Sequence, residues 1–284
     1  MVCIKCNQEK KTPKNLRNTS RNFTYEEKKE AVLSLTNNDF KNSNSKPYVL
    51  IIDEINRGNV SQIFGELITL IEEDKRSGKP EALEVTLPYS KEKFSVPPNL
   101  YIIGTMNTAD RSVEALDAAL RRRFSFEEML PLYDLEQIQY EYANTSASEI
   151  LKTINGRIEK LTDKDHQIGH SYFFRKDDEN AEATLMNAFY LKIIPLLQEY
   201  FFGDFGKIGL VLGEGFVKLK EWDNNSDGFA DFAYESAEDF EKREIYEIID
   251  YRKKKNYLLK RKNKDEITID FENAIQLLMK QKID

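Results

Sequence analysis

No stretch of this 284-residue chain approaches the run of about 18 apolar residues that a membrane helix requires. The N-terminal MVCIKCNQEKK carries no apolar core of the kind found in export signals, which predicts a cytoplasmic protein with no membrane partner. Cysteine is scarce: Cys3 and Cys6 form one CxxC. A structural zinc site needs four ligands, and the only histidines, His166 and His170, lie far along the chain. A redox CxxC belongs at a strand-to-helix turn, whereas polar, Lys-rich sequence follows this one, so the pair reads as free thiols in a reducing compartment. Positive charge is also short, with 42 Lys and Arg against 49 Asp and Glu, a net charge of −7. That balance argues against a surface that coats nucleic acid throughout and leaves room for a local basic patch. Glycine is absent before Gly58, and no internal repeat of fixed period is present.

What is present suits a globular protein of one large domain or two modest ones, with 40% hydrophobic and 32% charged residues. Composition divides it into a polar segment over 1–47, an α/β segment over 48–133, a mainly helical segment over 134–213 and a charged region over 214–284. In the first, only Tyr25–Leu35 has the spacing of a helix. Tyr48-Val49-Leu50-Ile51-Ile52 is an unbroken β-prone run, the pattern of a parallel strand buried on both faces. Asn59 or Ser61 can cap a following helix with an apolar face of Ile63, Phe64, Leu67, Ile68, Leu70 and Ile71. Leu83–Leu87 and Phe94–Val96 read as a hairpin, and Leu100–Ile103 as a second buried strand leading into Gly104-Thr105-Met106-Asn107. Ser112 can cap a short helix that closes at Arg121-Arg122-Arg123, and Phe124–Phe126 alternates like a strand. Helices are expected over Asp134–Tyr142, Ser148–Leu161 and Ala183–Phe202, with a short strand at 207–212. In the tail, Ile245–Tyr251 and Ile267–Phe271 read as strands and Glu272–Lys280 as a helix.

In a parallel α/β sheet, ligands bind beyond the carboxyl ends of the strands. Asp53 and Glu54 end one such strand, and Asn107 follows another. An acidic pair there suits metal-assisted cleavage of a phosphoanhydride. The first carboxylate holds Mg²⁺, directly or through water, and the second orients or deprotonates an attacking water. An amide on the neighbouring strand can sense the terminal phosphate. An arginine offered to a neighbouring subunit can neutralise transition-state charge. Each piece alone also has a plain structural reading: a strand end, a turn residue, a solvated helix end.

Together, and in this order, the pieces resemble the AAA+ NTPases, and more narrowly the motor subunit of McrBC-type modified-cytosine-directed restriction systems. The segments that carry the resemblance are Ile51–Asn59, Phe64–Leu67, Met106–Ser112, Leu116-Asp117, Leu120–Phe124 and Ile168–Phe173, spanning roughly Tyr48 to Gly213. The resemblance implies an α/β AAA+ P-loop NTPase-type parallel sheet followed by a helical lid. It implies that Asp53 is the Mg²⁺ carboxylate of the Walker B segment, that Glu54 is the catalytic carboxylate and that Asn56 helps position the water. Asn107 would be the sensor-1 amide, Arg122 the trans-acting arginine finger with Arg123 in support, and Asp117 a residue near that interface. Arg175 is a weaker candidate for sensor 2. Implied with these are ATP or GTP as substrate, Mg²⁺ as cofactor, a homo-oligomeric (hexameric) ring, DNA engaged through the complex and an McrC-like nuclease subunit as partner.

The departure from the pattern is the missing GxxxxGK[ST] loop, whose backbone and Lys hold phosphates. Two expectations follow: that the chain is a truncated copy of a longer NTPase, or that it is a non-catalytic scaffold offering an arginine finger to complete neighbours. A basic cluster, Lys253-Lys254-Lys255 and Lys260-Arg261-Lys262 with Lys264, interleaved with Tyr251 and Tyr257, reads first as a solvated face and second as a DNA contact.

Overall fold

The computed structural model describes residues 46–110, 118–175, 179–221, 242–260 and 266–283, together with Thr24, Ser34, 229–230 and 239–240. The Cys3/Cys6 pair, the helix expected over Tyr25–Leu35 (Ser34 aside), the Ser112 cap and Asp117 lie outside the described residues. The chain divides into two compact units, one ending at Met129 and the other starting at Leu130.

In the first unit, β1 (Tyr48–Ile52) leads through a 3₁₀ turn at Ile55–Arg57 into α1 (Val60–Phe64). Asn59 is the cap, its side-chain oxygen accepting the Gln62 N–H at 3.0 Å. The helix tightens into a 3₁₀ segment over Gly65–Thr69. A hairpin of β2 (Val85–Thr86) and β3 (Lys93–Phe94) follows within the expected span. The chain then returns as β4 (Leu100–Gly104), parallel to β1 with Tyr48 opposite Leu100 and Ile52 opposite Gly104. Buried Arg76 holds the crossover to β4, donating to the Ile71 carbonyl at 2.9 Å and to the Leu100 carbonyl. After β4 comes α2 (Ala118–Arg121), where Leu120 packs with Ile55 and Val60.

Two expectations are corrected here. The run at Tyr48–Ile52 is a parallel strand, but it is not buried on both faces: Val49 is 53% and Ile51 66% exposed. Among the described residues β1 pairs with β4 alone, and a strand is covered on both faces only when further layers flank it. Phe124–Phe126 forms no strand. Phe124 packs beside Leu120 and Phe126 lies under the Arg121 guanidinium at 5.9 Å, so the alternation reflects two separate contacts.

The second unit opens with a 3₁₀ turn at Glu136–Ile138 and a hairpin of β5 (Glu141–Tyr142) and β6 (Thr145–Ser146). The helix expected over Asp134–Tyr142 is therefore replaced. Leu135, Ile138 and Tyr142 have helical spacing, but Ala143 and Asn144 both adopt positive φ (53° and 57°), a pair that demands strands on either side. Helix α3 (Ala147–Leu161) starts at a capping box, with Ser146 and Glu149 satisfying each other's backbone N–H at 3.2 and 3.3 Å. It buries Ile150, Leu151, Ile154 and Ile158.

Helix α4 (Ala181–Ala188) passes through a π turn at Phe189–Ile193 into α5 (Ile194–Tyr200). Pro195 explains the widened turn, because its ring removes an N–H and crowds the carbonyl four residues back. Residues 207–212, read as a strand, belong to α6 (Phe205–Leu212). An apolar run that short does not declare its period. Asp204 caps it through the Lys207 N–H at 3.1 Å, and Gly213, at φ 89°, ends it. The tail supplies β7 (Val217–Leu219) paired with β8 (Tyr246–Ile248), β9 (Tyr257–Lys260) paired with β10 (Glu266–Ile269), and α7 (Phe271–Leu278).

Composition sets residues from Glu214 onward apart, yet Phe216, Ile249, Phe271 and Ile275 enter the same core as α3, α4 and α6. Phe189 stacks on Phe216 (centroids 4.8 Å apart, planes at 11°), and Phe271 meets both edge-on at 6.1 and 6.0 Å. Gly215 permits the approach of α7, since a Cβ there would stand 2.7 Å from the Ala274 Cα. Two polar side chains complete this core. Asn155, buried, accepts the Ile168 N–H at 2.7 Å and donates to the Ile168 carbonyl at 2.9 Å and the Tyr133 hydroxyl at 3.1 Å. Arg157 donates to the Val211 and Leu278 carbonyls, both at 2.6 Å, so one guanidinium closes the last turns of α6 and α7. Burial lowers the Arg157 pKa and raises those of Tyr140, Tyr190 and Tyr251, with that of Tyr200 pushed up to about 12. No helix among the described residues is long and apolar enough to cross a membrane.

Candidate active site

The site is built where β1 and β4 end side by side. The ladder continues one step past the strands: Thr105 donates its N–H to the Ile52 carbonyl at 3.0 Å and accepts the Ile55 N–H at 2.8 Å. Between these bonds the chain must turn, and it does so at Glu54, with φ 50° and ψ 49°. A non-glycine residue in the left-handed region is uncommon and needs support from its surroundings. The Thr105 side chain supplies it. Its hydroxyl oxygen accepts the Glu54 N–H at 3.0 Å, and its O–H donates to the Asp53 carboxylate. Gly104 makes the close approach possible, because a Cβ there would lie 3.1 Å from two carbons of buried Ile55.

The sequence reading did not single out Thr105. The available signal was its place opposite Asp53 once β1 and β4 are set in register, and that register is a property of the folded sheet.

Asp53 is exposed at the strand end. Glu54 turns its carboxylate to Arg57, an ion pair that Arg57 extends to Asp110 at 3.5 Å. Asn56 donates to the Asn107 carbonyl at 3.4 Å, while its own side-chain oxygen is buried with no hydrogen-bond partner. The Asn107 side-chain oxygen accepts the Ala109 N–H at 3.1 Å, a turn that fixes the chain just past β4. Asp53, Glu54, Asn56 and Asn107 are thus brought together, with Thr105, Arg57 and Asp110 added to them.

The two arginines behave differently. Arg123 forms an ion pair with Glu72 at 2.7 Å. Arg122, its neighbour, is exposed at the end of α2. Asp117 lies outside the described residues. In the second unit, Arg175 sits 5.1 Å over the Tyr140 ring.

Chemically, the strand end offers one exposed carboxylate, steadied by the Thr105 hydroxyl, for a cation, a second carboxylate held by an arginine, and amides to orient a small polar molecule. No group of three metal-ligating side chains occurs among the described residues. The exposed carboxylate of Asp53 is a donor of the kind that a hydrated cation such as Mg²⁺ takes, one or two carboxylates beside several waters.

Residues 7–124 match the AAA domain of the dynein-related subfamily, and residues 146–209 match the alpha-helical lid domain of McrB. The chain is 42% identical over 181 residues to the Type IV methyl-directed restriction enzyme EcoKMcrB subunit of Escherichia coli (strain K12), covering 58% of this chain and 39% of that protein. It is 28% identical over 203 residues to the Type II restriction enzyme BsuMI component YdiS of Bacillus subtilis (strain 168), covering 65% of this chain and 58% of that one. The chain therefore spans less than two thirds of the length of either relative.

Proposed function

The chain belongs to the AAA+ family, as an AAA domain followed by an McrB-type helical lid, and from that premise we propose that it is the NTPase motor module of a DNA restriction system. The observation that carries this reading is the strand-end cluster, in which Asp53, Glu54, Asn56 and Asn107 converge where β1 and β4 stop.

In this reading Asp53 is the Walker B carboxylate that holds Mg²⁺, directly or through water. Mg²⁺ held there would supply positive charge against the phosphates. Glu54 takes the proton of the attacking water, and Arg57, shared with Asp110, orients its carboxylate. Asn107 senses the terminal phosphate, and Asn56, with its buried unpaired oxygen, completes the water's surroundings. The substrate is ATP or GTP, and the working form is a ring of subunits, a hexamer, in the cytoplasm, with Asp117 near the subunit boundary. DNA and an McrC-like nuclease are its partners. The test is Mg²⁺-dependent ATP and GTP hydrolysis by the chain fused behind a GxxxxGK[ST]-bearing strand and helix. Turnover is expected; nucleotide bound at that loop with no turnover of either nucleotide would overturn the reading.

A second reading rests on the contrast between the arginines. Arg123 is committed to Glu72, whereas Arg122 is exposed and available to a neighbouring subunit. The unfused chain then acts in trans, raising hydrolysis by a complete McrB-type subunit. Arg122→Ala is expected to remove most of that stimulation, a loss of about 10³-fold at a fully used finger. Stimulation that survives the substitution would exclude Arg122 from the role.

A further inference from the structure

We propose that the turn Arg252–Lys255, on the second unit, is a contact for the phosphate backbone of duplex DNA. The cationic run was legible in the sequence; its rigidity, and a compensation limited to the single carboxylate of Asp250, are properties of the fold.

The only carboxylate within 250–256 is Asp250, and Arg252 takes it up, with the backbone N–H at 3.1 Å and Nε and Nη2 both at 2.9 Å. Lys253 reaches the same carboxylate only at 4.0 Å and is 81% exposed. Lys254 lies 5.6 Å over the Tyr257 ring. Lys254 and Lys255 have no carboxylate partner among the described residues. In a chain of net charge −7, this turn is a local excess of positive charge.

The backbone that carries these lysines is held from several directions. Lys253 donates its N–H to the Asp250 carbonyl at 3.0 Å. The Tyr257 hydroxyl donates to the same carbonyl at 2.8 Å. The Tyr190 hydroxyl donates to the Ile249 carbonyl at 2.7 Å and accepts the Tyr251 N–H at 3.3 Å. The Tyr251 hydroxyl donates to the Gly215 carbonyl at 2.8 Å. A turn fixed in this way loses little backbone freedom when it binds, so lysine charge is presented at low entropic cost.

The same bonds select the polyanion. Single-stranded nucleic acid is gripped by aromatic faces that stack on bases. Here Tyr251 is buried, and the Tyr190 and Tyr257 hydroxyls point into the fold. Charge without exposed rings fits the outside of a duplex, where Lys serves as a point charge on phosphates. A membrane surface would call for an apolar face of several large side chains beside the lysines, and within 250–258 the exposed apolar side chain is Leu258 alone. Both relatives described above are named as restriction enzymes, whose substrate is DNA. The proposal rests on the reading of this chain as part of such a system only for its choice of polyanion.

The test needs no nucleotide turnover, so its failure and that of the NTPase reading are distinguishable. Binding of the full chain to a labelled 30-base-pair duplex (about three helical turns) is followed by fluorescence anisotropy between 50 and 200 mM KCl. Three phosphate contacts give a slope of log K against log[KCl] near −2.7, at about −0.9 per contact. The triple variant Lys253→Gln, Lys254→Gln, Lys255→Gln is expected to flatten that slope by about 2 to 3 and to weaken binding at least about tenfold at 50 mM. The triple Lys→Arg variant is expected to restore it, with far-UV circular dichroism confirming that both variants fold. An unchanged slope in the Gln variant overturns the proposal. So does tighter binding to single-stranded DNA of equal length, or displacement of the duplex by poly-glutamate at equal charge.

Discussion

Glu54→Gln, placed in the P-loop fusion described above, is expected to lower Mg²⁺-dependent turnover by at least about 10²-fold while nucleotide affinity changes little. Gln keeps the size of Glu and the backbone turn that Thr105 stabilises, so the substitution removes a base and little else. It also breaks the ion pair to Arg57, but Arg57 retains Asp110. Single-turnover hydrolysis with radiolabelled ATP and GTP, read beside equilibrium nucleotide binding, separates the two effects. Loss of binding together with turnover would mean that Glu54 holds the loop together. Full turnover in the variant would remove it from the chemistry altogether.

The second large effect lies in the lid. Asn155→Leu is expected to cost about 3 kcal/mol, because the Ile168 N–H and carbonyl would both be left buried without partners. Leu adds apolar bulk to a helix face already lined by Ile150, Leu151, Ile154 and Ile158, so the loss comes from polar groups and not from helix propensity. Hydrogen exchange reads the site directly: the Ile168 amide is expected to lose about 10²-fold in protection. Asn155→Asp should restore the acceptor but not the donor, and fall between. Protection unchanged in Asn155→Leu would show that the Ile168 backbone finds other partners.

How much of this was legible in the residues differs between the two units. In the first, the strand ends announced themselves, because an unbroken apolar run followed by Asp53-Glu54 and a second followed by Asn107 depend only on local order. Adjacency was a further step, and it brought in Thr105, Arg57 and Asp110, whose roles come from pairing across 50 and more residues. Exposure of β1 was not legible, since composition reports what a strand can bury and not what covers it. In the lid, the long helices were plain in outline while their caps at Ser146 and Asn180 were not read, and short apolar segments were ambiguous. Residues 207–212 satisfied strand and helix patterns alike, and the cap at Asp204 decided between them. At Glu141–Tyr142 a helical spacing yielded to a two-residue turn with positive φ at Ala143 and Asn144, neither of which is glycine. Beyond Glu214 the charge of the tail masked its apolar anchors, which are sparse in sequence and meet only in three dimensions.

The guanidinium of Arg157 reaches the Leu278 carbonyl across 121 residues of chain. On a ribosome moving at about 5 to 20 residues per second, that partner emerges roughly 6 to 24 s after the arginine. Until Phe271 and Ile275 emerge, the core that α3 shares with α4 and α6 lacks its last members, and the faces of Phe189 and Phe216 that Phe271 will meet stay wet. The nascent chain thus passes through a stage in which every strand-end residue has been synthesised and the lid is still open to chaperones and proteases. A stop codon falling anywhere in α7 would leave every strand-end residue encoded and release a chain whose second unit could not complete its own core.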